Sequence, residues 1–278
     1  MMLRHTHSSI PACPTLFTPL QIHSRDLLQL GVRAWVGWMR DHTISIQRMI
    51  ERYSASVVVA GANLEYIDQC RFHDSDTIDM KSHSVVHKKG VLIEGITEFT
   101  FGYKKLAKMS VFLRPVIIED KHSSAAKSSY LLPEIQRLFD PEEFCQYPYA
   151  RHVKQLLPDI EREGTVIATG IYPFKMHRHA MDFADQWAFM ETAAYVGSSR
   201  ESIAMSEAGT HPRLIEGISK AIKNYYLDLK KPYFLFDEAR VESKAFLWRE
   251  KLFFVHHLTS EMRGDTQVHA SVIEEMRD

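Results

Sequence analysis

An α+β fold built from two successive copies of one plan is what this 278-residue sequence predicts. Three observations carry the expectation. Residues 27–52 place Val32, Trp35, Val36, Met39, Ile46, Met49 and Ile50 at helical spacing on one broad apolar side. Long alternating segments follow from Ser56 to about Asp120, the pattern of antiparallel strands behind one helix rather than of strands and helices in turn. A second run of the same kind starts near Asp182 and has its strands from about Pro232 to Glu275. The two runs lie roughly 155–160 residues apart, too far for a solenoid unit and suited to a duplicated domain.

Composition narrows the classes. Apolar residues make up 45% and charged residues 25%, as in an ordinary globular protein with a sizeable core. Lys+Arg number 34 against 35 for Asp+Glu, and the basic residues are scattered, so no nucleic-acid partner is expected. The longest apolar stretch, residues 57–62, falls far short of the roughly 18 residues that would span a bilayer, and the start of the chain lacks the continuous apolar core of a secretory signal. No membrane partner is expected, and the cytoplasm is the default location. Cys13, Cys70 and Cys145 are odd in number and widely spaced, which suggests neither a disulfide framework nor a cysteine zinc site.

Taken in order, residues 1–14 read as a flexible arm. Residues 15–23 alternate as a strand, with Pro19 placing it at an edge or bulge. The helix of residues 27–52 is expected to break near His42-Thr43, where Asp41 or Thr43 is suited to cap a second piece. Strands are then expected over 57–59, 63–67, 76–86, 91–99 and 108–118, with a hairpin at Lys88-Lys89-Gly90. Residues 121–164, with their prolines, read as a connector. The second copy opens on strands over 166–172 and 174–176 that lead into a strand at His177-Arg178-His179. Helical spacing runs over 185–205, is ended by Gly209, and resumes after Pro212 as far as Tyr225. Strands at 239–248, 252–258 and 268–273 close the chain, and Arg249-Glu250-Lys251 takes the place of the first hairpin. Aligned without a gap from Asp76 and Asp237, the copies share Ser82 with Ser243 and little else. The domains are thus an arm (1–14), a first copy (15–120), a connector (121–164) and a second copy (165–278).

Arg25-Asp26-Leu27-Leu28-Gln29-Leu30-Gly31 resembles the frame of the motif at the strand-to-helix turn of hot-dog thioesterases: an aspartate, then a glycine, then a turn rich in His and Asn. The position of a second acid is Leu28, and Val32-Arg33-Ala34-Trp35 replaces His and Asn. The second copy has Asp182-Phe183-Ala184-Asp185-Gln186-Trp187 there, without the glycine but with two acids and an amide, and Glu191 follows on the helix. The resemblance implies a double hot-dog fold, with each sheet wrapped around its own long helix and the first copy reduced to a scaffold. It also implies processing of an acyl-CoA or acyl-carrier-protein thioester, with hydrolysis ahead of dehydration, cyclisation, decarboxylation or acyl transfer, and a place in fatty-acid or secondary-metabolite biosynthesis. A catalytically silent acyl-binding or carrier-docking protein is the alternative. The phosphopantetheine arm of the substrate is expected in the cleft between the halves, no separate cofactor is needed, and a homodimer stays open.

Asp182 and Asp185 are the residues suited to act as base or nucleophile on the thioester carbonyl, and a carboxylate against Trp187 and Phe189 would have its pKa raised. N–H groups near Gln186 and Trp187 would polarise the carbonyl oxygen if they open the helix. The plain alternative makes Asp185 an N-cap, pairs Asp182 with Arg178, and leaves Glu191 as a solvated or paired helix residue. His23 or His179 could act with an acid across the interface as in hot-dog dehydratases, although the spacing from histidine to glycine departs from theirs. His177 and His179 share one face of a strand, a metal-ligand spacing, but lack further ligands at a recognisable interval. His83 and His87 are expected to face solvent, and at most one of His256 and His257 can enter a pocket. No Gly-x-Ser-x-Gly elbow is present, so a serine nucleophile is not expected.

Overall fold

The computed structural model describes residues 3–120, 125–141, 151–182, 186–262 and 265–278. The chain forms two compact units. One holds Met1–Phe17, Leu27–Ala62 and Ile67–Ala150, and the other Thr18–Asp26, Asn63–Tyr66 and Arg151–Asp278.

In the first unit, β1 (Thr6–Pro11) precedes α1 (Ser24–His42) and α2 (Ile46–Tyr53), and four long strands follow: β2 (Ala55–Tyr66), β3 (Thr77–His87), β4 (Leu92–Phe101) and β5 (Lys104–Asp120). Their order in the sheet is β1-β3-β4-β5-β2. After them β6 (Ala125–Ser128) pairs with β5, and α3 (Pro133–Gln136) leads to β7 (Asp140–Pro141), which pairs in parallel with β3. The body of α1 lies on this sheet through buried Leu27, Leu28, Leu30, Trp35, Trp38 and Met39. Trp35 sits so close to β4 that a Cβ on Gly95 would lie 2.4 Å from the indole Cδ1, so only glycine admits the ring there. The indole N–H donates to Ser84 Oγ at 3.2 Å, which satisfies its one buried donor.

The second unit repeats the plan. After α4 (His152–Glu163) come β8 (Thr165–Lys175), α5 (Thr192–Glu207), α6 (Glu216–Ser219), β9 (Ile222–Leu229), β10 (Glu238–Trp248), β11 (Lys251–Met262) and β12 (Asp265–Met276). The sheet order is β8-β10-β11-β12-β9, the order of the first unit with β8 for β1 and β9 for β2. Alternation divides the strands between two faces. Phe246, Trp248, Phe253, Val255 and Ile273 pack with Val153 and Ile160 of α4 on one face. The intervening residues face α5, whose Thr192, Val196, Ser199, Arg200, Ile203 and Ala204 form its buried stripe.

Several elements differ from what the sequence suggests, each for a local reason. The expected arm contains β1, paired with β3 from Thr6↔Ser82 to Pro11↔Thr77. It was hidden because only a polar, largely exposed edge strand was needed there. Residues 15–23 are not a strand. Pro14 opens a 3-10 turn, and Thr18 Oγ1 accepts from the N–H groups of Leu20 and Gln21. The break between α1 and α2 falls as expected, but the cap is Ser45, whose Oγ accepts from Arg48 N, and neither Asp41 nor Thr43. The expected strands 57–59 and 63–67 are one strand, β2. The connector of residues 121–164 holds β6, α3, β7 and α4 among its described residues. Residues 222–225 continue no helix. They open β9, whose apolar run is buried by pairing with β12 and cannot be told from helix by periodicity. Both hairpins form, with positive φ at Lys88, Lys89 and Gly90 and at Arg249 and Glu250. The second is two residues shorter: four residues join His87↔Leu92, and only Arg249 and Glu250 join Trp248↔Lys251, so the ungapped alignment fails past the turn.

His83 and His87 do not face solvent. His87 is fully buried, with Nε2 2.8 Å from Glu94 Oε2, and His83 is partly buried edge-to-face with His5. Burial and the neighbouring His5 depress the His83 pKa to about 4. No helix among the described residues is long and apolar enough to cross a membrane.

Candidate active site

The start of α1 and the start of α5 meet within the second unit, each fastened by buried hydroxyls. Tyr66, the last residue of β2, donates to Ile22 O at 2.8 Å, and its hydroxyl lies 3.0 Å from Ser24 Oγ. Thr192 donates to Phe189 O at 2.6 Å and lies 2.7 Å from the Tyr225 hydroxyl. Burial pushes the Tyr66 and Tyr225 hydroxyls up out of their titration range, so both act as neutral hydrogen-bonding struts.

Between these struts lies a compact charged cluster. The Arg25 guanidinium grips the Glu191 carboxylate through Nε at 2.9 and 3.0 Å and Nη2 at 2.6 Å, a fork that holds the carboxylate in one plane. Asp26 lies beside it, 3.5 Å from Arg25 Nη1, with only 16% of its side chain exposed. Burial raises the Asp26 pKa above its ordinary value. His23 and Arg25 pull it down, and the charge of Glu191 pushes it further up. Two acids thus share one arginine unequally, Glu191 in a multidentate grip and Asp26 at 3.5 Å from Nη1. A carboxyl whose pKa is raised by burial is the kind of group that acid–base chemistry uses. Tyr195, one turn along α5 from Glu191, stacks on Phe174 with ring centroids 4.2 Å apart.

The residues singled out in the second copy are distributed differently. Asp182 is exposed, and its Oδ1 accepts from Gln186 N at 3.2 Å while its own N–H donates to Gln186 O at 2.7 Å. Trp187 N donates to Tyr233 O. The N–H of Gln186 is thus taken by Asp182 and that of Trp187 by Tyr233, and neither opens a helix, because α5 starts at Thr192. Asp185 lies outside the described residues. The carboxylate buried near Phe189 is that of Glu191, itself buried. His177 and His179 stand exposed around a 3-10 turn, Arg178–Ala180, and not on a strand; their rings lie 6.2 Å apart. Among the described residues no group of three or more His, Cys, Asp and Glu is arranged to hold a metal ion.

The structure joins Glu191, read from the second copy, to Arg25 and Asp26, read as the eroded motif of the first. Arg25 and Glu191 are 166 positions apart, so no local spacing announces the pair. The only signal in the chain is that Arg25-Asp26 and Glu191 each occupy the entry to a repeat's long helix.

Neither a family model nor a curated sequence relative matches the chain. Solved structures do. A candidate oleoyl thioesterase from Lactobacillus plantarum superposes with a TM-score of 0.74 at 8% identity, covering 99% of this chain and 95% of that one. The 12:0-ACP thioesterase from Umbellularia californica gives 0.68 at 10% identity over 98% and 94% of the two chains. An acyl-ACP thioesterase from Bacteroides thetaiotaomicron gives 0.67 at 9% identity over 98% of each. At such identities the likeness establishes the fold, and the chain has the double hot-dog fold that the sequence resemblance implied.

Proposed function

We propose that this protein hydrolyses acyl thioesters of coenzyme A or acyl carrier protein, with Asp26 as the general base. The observation that carries the reading is Asp26 itself: a mostly buried carboxyl with a raised pKa, held beside the Arg25–Glu191 fork. A carboxylate whose affinity for protons is raised is a better base toward water. In the proposed step Asp26 takes a proton from water as the water oxygen bonds to the thioester carbonyl carbon. The tetrahedral intermediate then expels the thiolate, which is protonated to the free thiol. Glu191 grips Arg25 and orients the guanidinium, whose Nη1 lies 3.5 Å from Asp26. The whole-length likeness to thioesterases supports the same reaction, and their acyl-ACP and oleoyl substrates favour a fatty acyl chain over a small one. A biosynthetic role in releasing a finished acid follows from that substrate.

Asp182 is the competing base, reached from sequence. Purified protein incubated with a panel of acyl-CoA and acyl-carrier-protein thioesters, with products weighed by mass spectrometry, separates the readings. Free acid plus free thiol, lost in Asp26→Asn and retained in Asp182→Ala, is the expected result. Loss in Asp182→Ala alone moves the base to that loop. An acyl group altered in mass while still attached means dehydration or decarboxylation, and an unchanged panel means a binding protein.

A further inference from the structure

A second constellation lies on the helix-facing side of the second unit's sheet, away from Asp26. It runs across four strands in register. Gly170 of β8 pairs with Ser243 of β10, Ser243 with His256 of β11, and Glu274 of β12 stands one step diagonal to His256 on the same face. From α5 above, Ser199 Oγ lies 2.7 Å from Ser243 Oγ. Ser243 Oγ lies 2.6 Å from His256 Nδ1, and His256 Nε2 3.3 Å from Glu274 Oε2. Arg200 Nη1 donates to both oxygens of Glu274 at 2.7 Å, and Arg200 Nε donates to Gly217 O. Ser199, Ser243, His256 and Glu274 are each exposed by at most 2%.

The direction of the protons in this chain is set by its far end. Burial alone would push the Glu274 carboxyl up, but Arg200 and His256 hold it at about 2, so it is ionised and can only accept. His256 Nε2 must then carry a proton toward it. In the neutral ring Nδ1 is the acceptor, Ser243 donates to Nδ1, and Ser243 Oγ is left to accept from Ser199. Ser199 thus stands where the nucleophile stands in a serine–histidine–acid array, with one hydroxyl interposed.

Ser199 also meets a cavity. A cleft of about 170 Å³ lies between β8 and α5, lined by Thr169, Gly170, Ile171, Tyr172, Ser199, Ser202, Ile203 and Ser206. Gly170 keeps its floor low, since a Cβ there would lie 2.5 Å from Ile203 Cγ1. A cavity of about 150 Å³ takes a benzene ring, so the cleft is sized for a short or aryl acyl group and not for a fatty chain. Ser199 lines it with 1% of its surface exposed. Access therefore goes with local opening of β8, the outermost strand of its sheet, paired on one side to β10.

We propose that Ser199 is a second nucleophile, served by Ser243, His256 and Glu274 as a proton relay, and that the cleft accepts esters or thioesters of small acyl groups. Ser199 Oγ bonds to the carbonyl carbon as its proton passes to Ser243 Oγ and the proton of Ser243 passes to His256 Nδ1. The bond from carbon to the leaving oxygen or sulfur breaks, and the leaving group takes the proton of His256 Nδ1 by way of the Ser243 hydroxyl, Ser199 Oγ now being esterified. Water then releases the acid from Ser199 by the reverse sequence. The proposal does not rest on Asp26, and its readout is the acylated serine and not thioester turnover.

The test is incubation of the full chain with 4-nitrophenyl acetate, following nitrophenolate release and locating acetyl groups by peptide mass spectrometry. One acetyl group on Ser199, acquired at least about 100-fold more slowly in Ser243→Ala and His256→Gln, is expected from the usual contribution of a positioned base. Ser199→Ala should acquire none in that peptide. The proposal is overturned if wild-type protein carries no acetyl on Ser199, or if Ser243→Ala with an unchanged melting transition is labelled as fast as wild type. Because His256→Gln removes a buried partner of Glu274 and risks misfolding, the wild-type and Ser243→Ala arms decide alone.

Discussion

The two units use one topology and fill it in opposite ways. In the first, the positions facing the helix are apolar or neutral: Thr97 stands in register where the second has His256, and by the same pairing Met109 and Val111 take the places of Val272 and Glu274. Ser82, the counterpart of Ser243, bonds to Ile96 O and to Thr97 Oγ1, and Thr97 donates to Gly31 O. The first helix is therefore held by packing, by Trp35 on Gly95 above all. The second is held by a buried ion pair of Arg200 and Glu274. A buried ion pair is a weak source of net stability but is costly to break from one side, so the pair that ties α5 to its sheet marks where chemistry is to be sought.

Single deletions should make that contrast visible. Glu274→Ala strips Arg200 of its buried carboxylate, leaving Glu201 at 3.5 Å, and should cost about 3–5 kcal/mol by denaturant unfolding. The pair Arg200→Met with Glu274→Leu should recover most of the loss, because the desolvation of both charges is relieved. Trp35→Ala should cost about 3–5 kcal/mol as well, through cavity formation, and no polar partner change should recover it. If the double variant is no better than Glu274→Ala, the ionic reading of the second helix fails.

Acid should separate the units next. His83 titrates at about 4 in the folded protein against an ordinary 6.5, its surroundings being His5, Glu98, Lys108 and Glu94. The unfolded chain takes up that proton first, so the first unit is at full stability above about pH 6.5 and loses it as pH falls toward 4. Glu274 is depressed from 4.5 to about 2, so its contribution to the second unit is present above about pH 4.5 and lost as pH falls toward 2. Hydrogen exchange against pH, read peptide by peptide, should show protection in β3 and β4 fading as pH falls from about 6.5 toward 4, and in β11 and β12, where burial also depresses His257 and His269, a further loss below about pH 4.5. Absence of that further loss in β12 would contradict the assignment. The smallest effect expected is Ser45→Ala, which removes the cap of α2 and should cost about 1 kcal/mol without altering activity.

How much of this was legible in the sequence depends on how local each feature is. The duplicated plan, the long strands and both hairpins follow from alternation and turn residues over short windows. β1 escaped notice because Thr6–Pro11 is a polar edge, and β9 because a strand buried on both faces has no period of two. The start of α5 was placed too early because Asp185 has the chemistry of a cap, while the chain first closes the Asp182–Gln186 loop. At the site, Glu191 and the Arg25-Asp26 motif are each legible in the sequence but their pairing is not, since they meet only through the fold. Ser243 was visible as an identity between the copies. His256 and Glu274 became meaningful only once register put them on one face.

The central claim is that Asp26 is a base with a raised pKa, and the pH dependence of kcat/KM for the best acyl-thioester substrate tests it most directly. The account predicts a rising acid limb whose midpoint lies above the ordinary aspartate value of 3.8. In Asp26→Asn that limb should be absent and the plateau at least about 100-fold lower. An Asp26→Asn enzyme with the wild-type limb and plateau would contradict it.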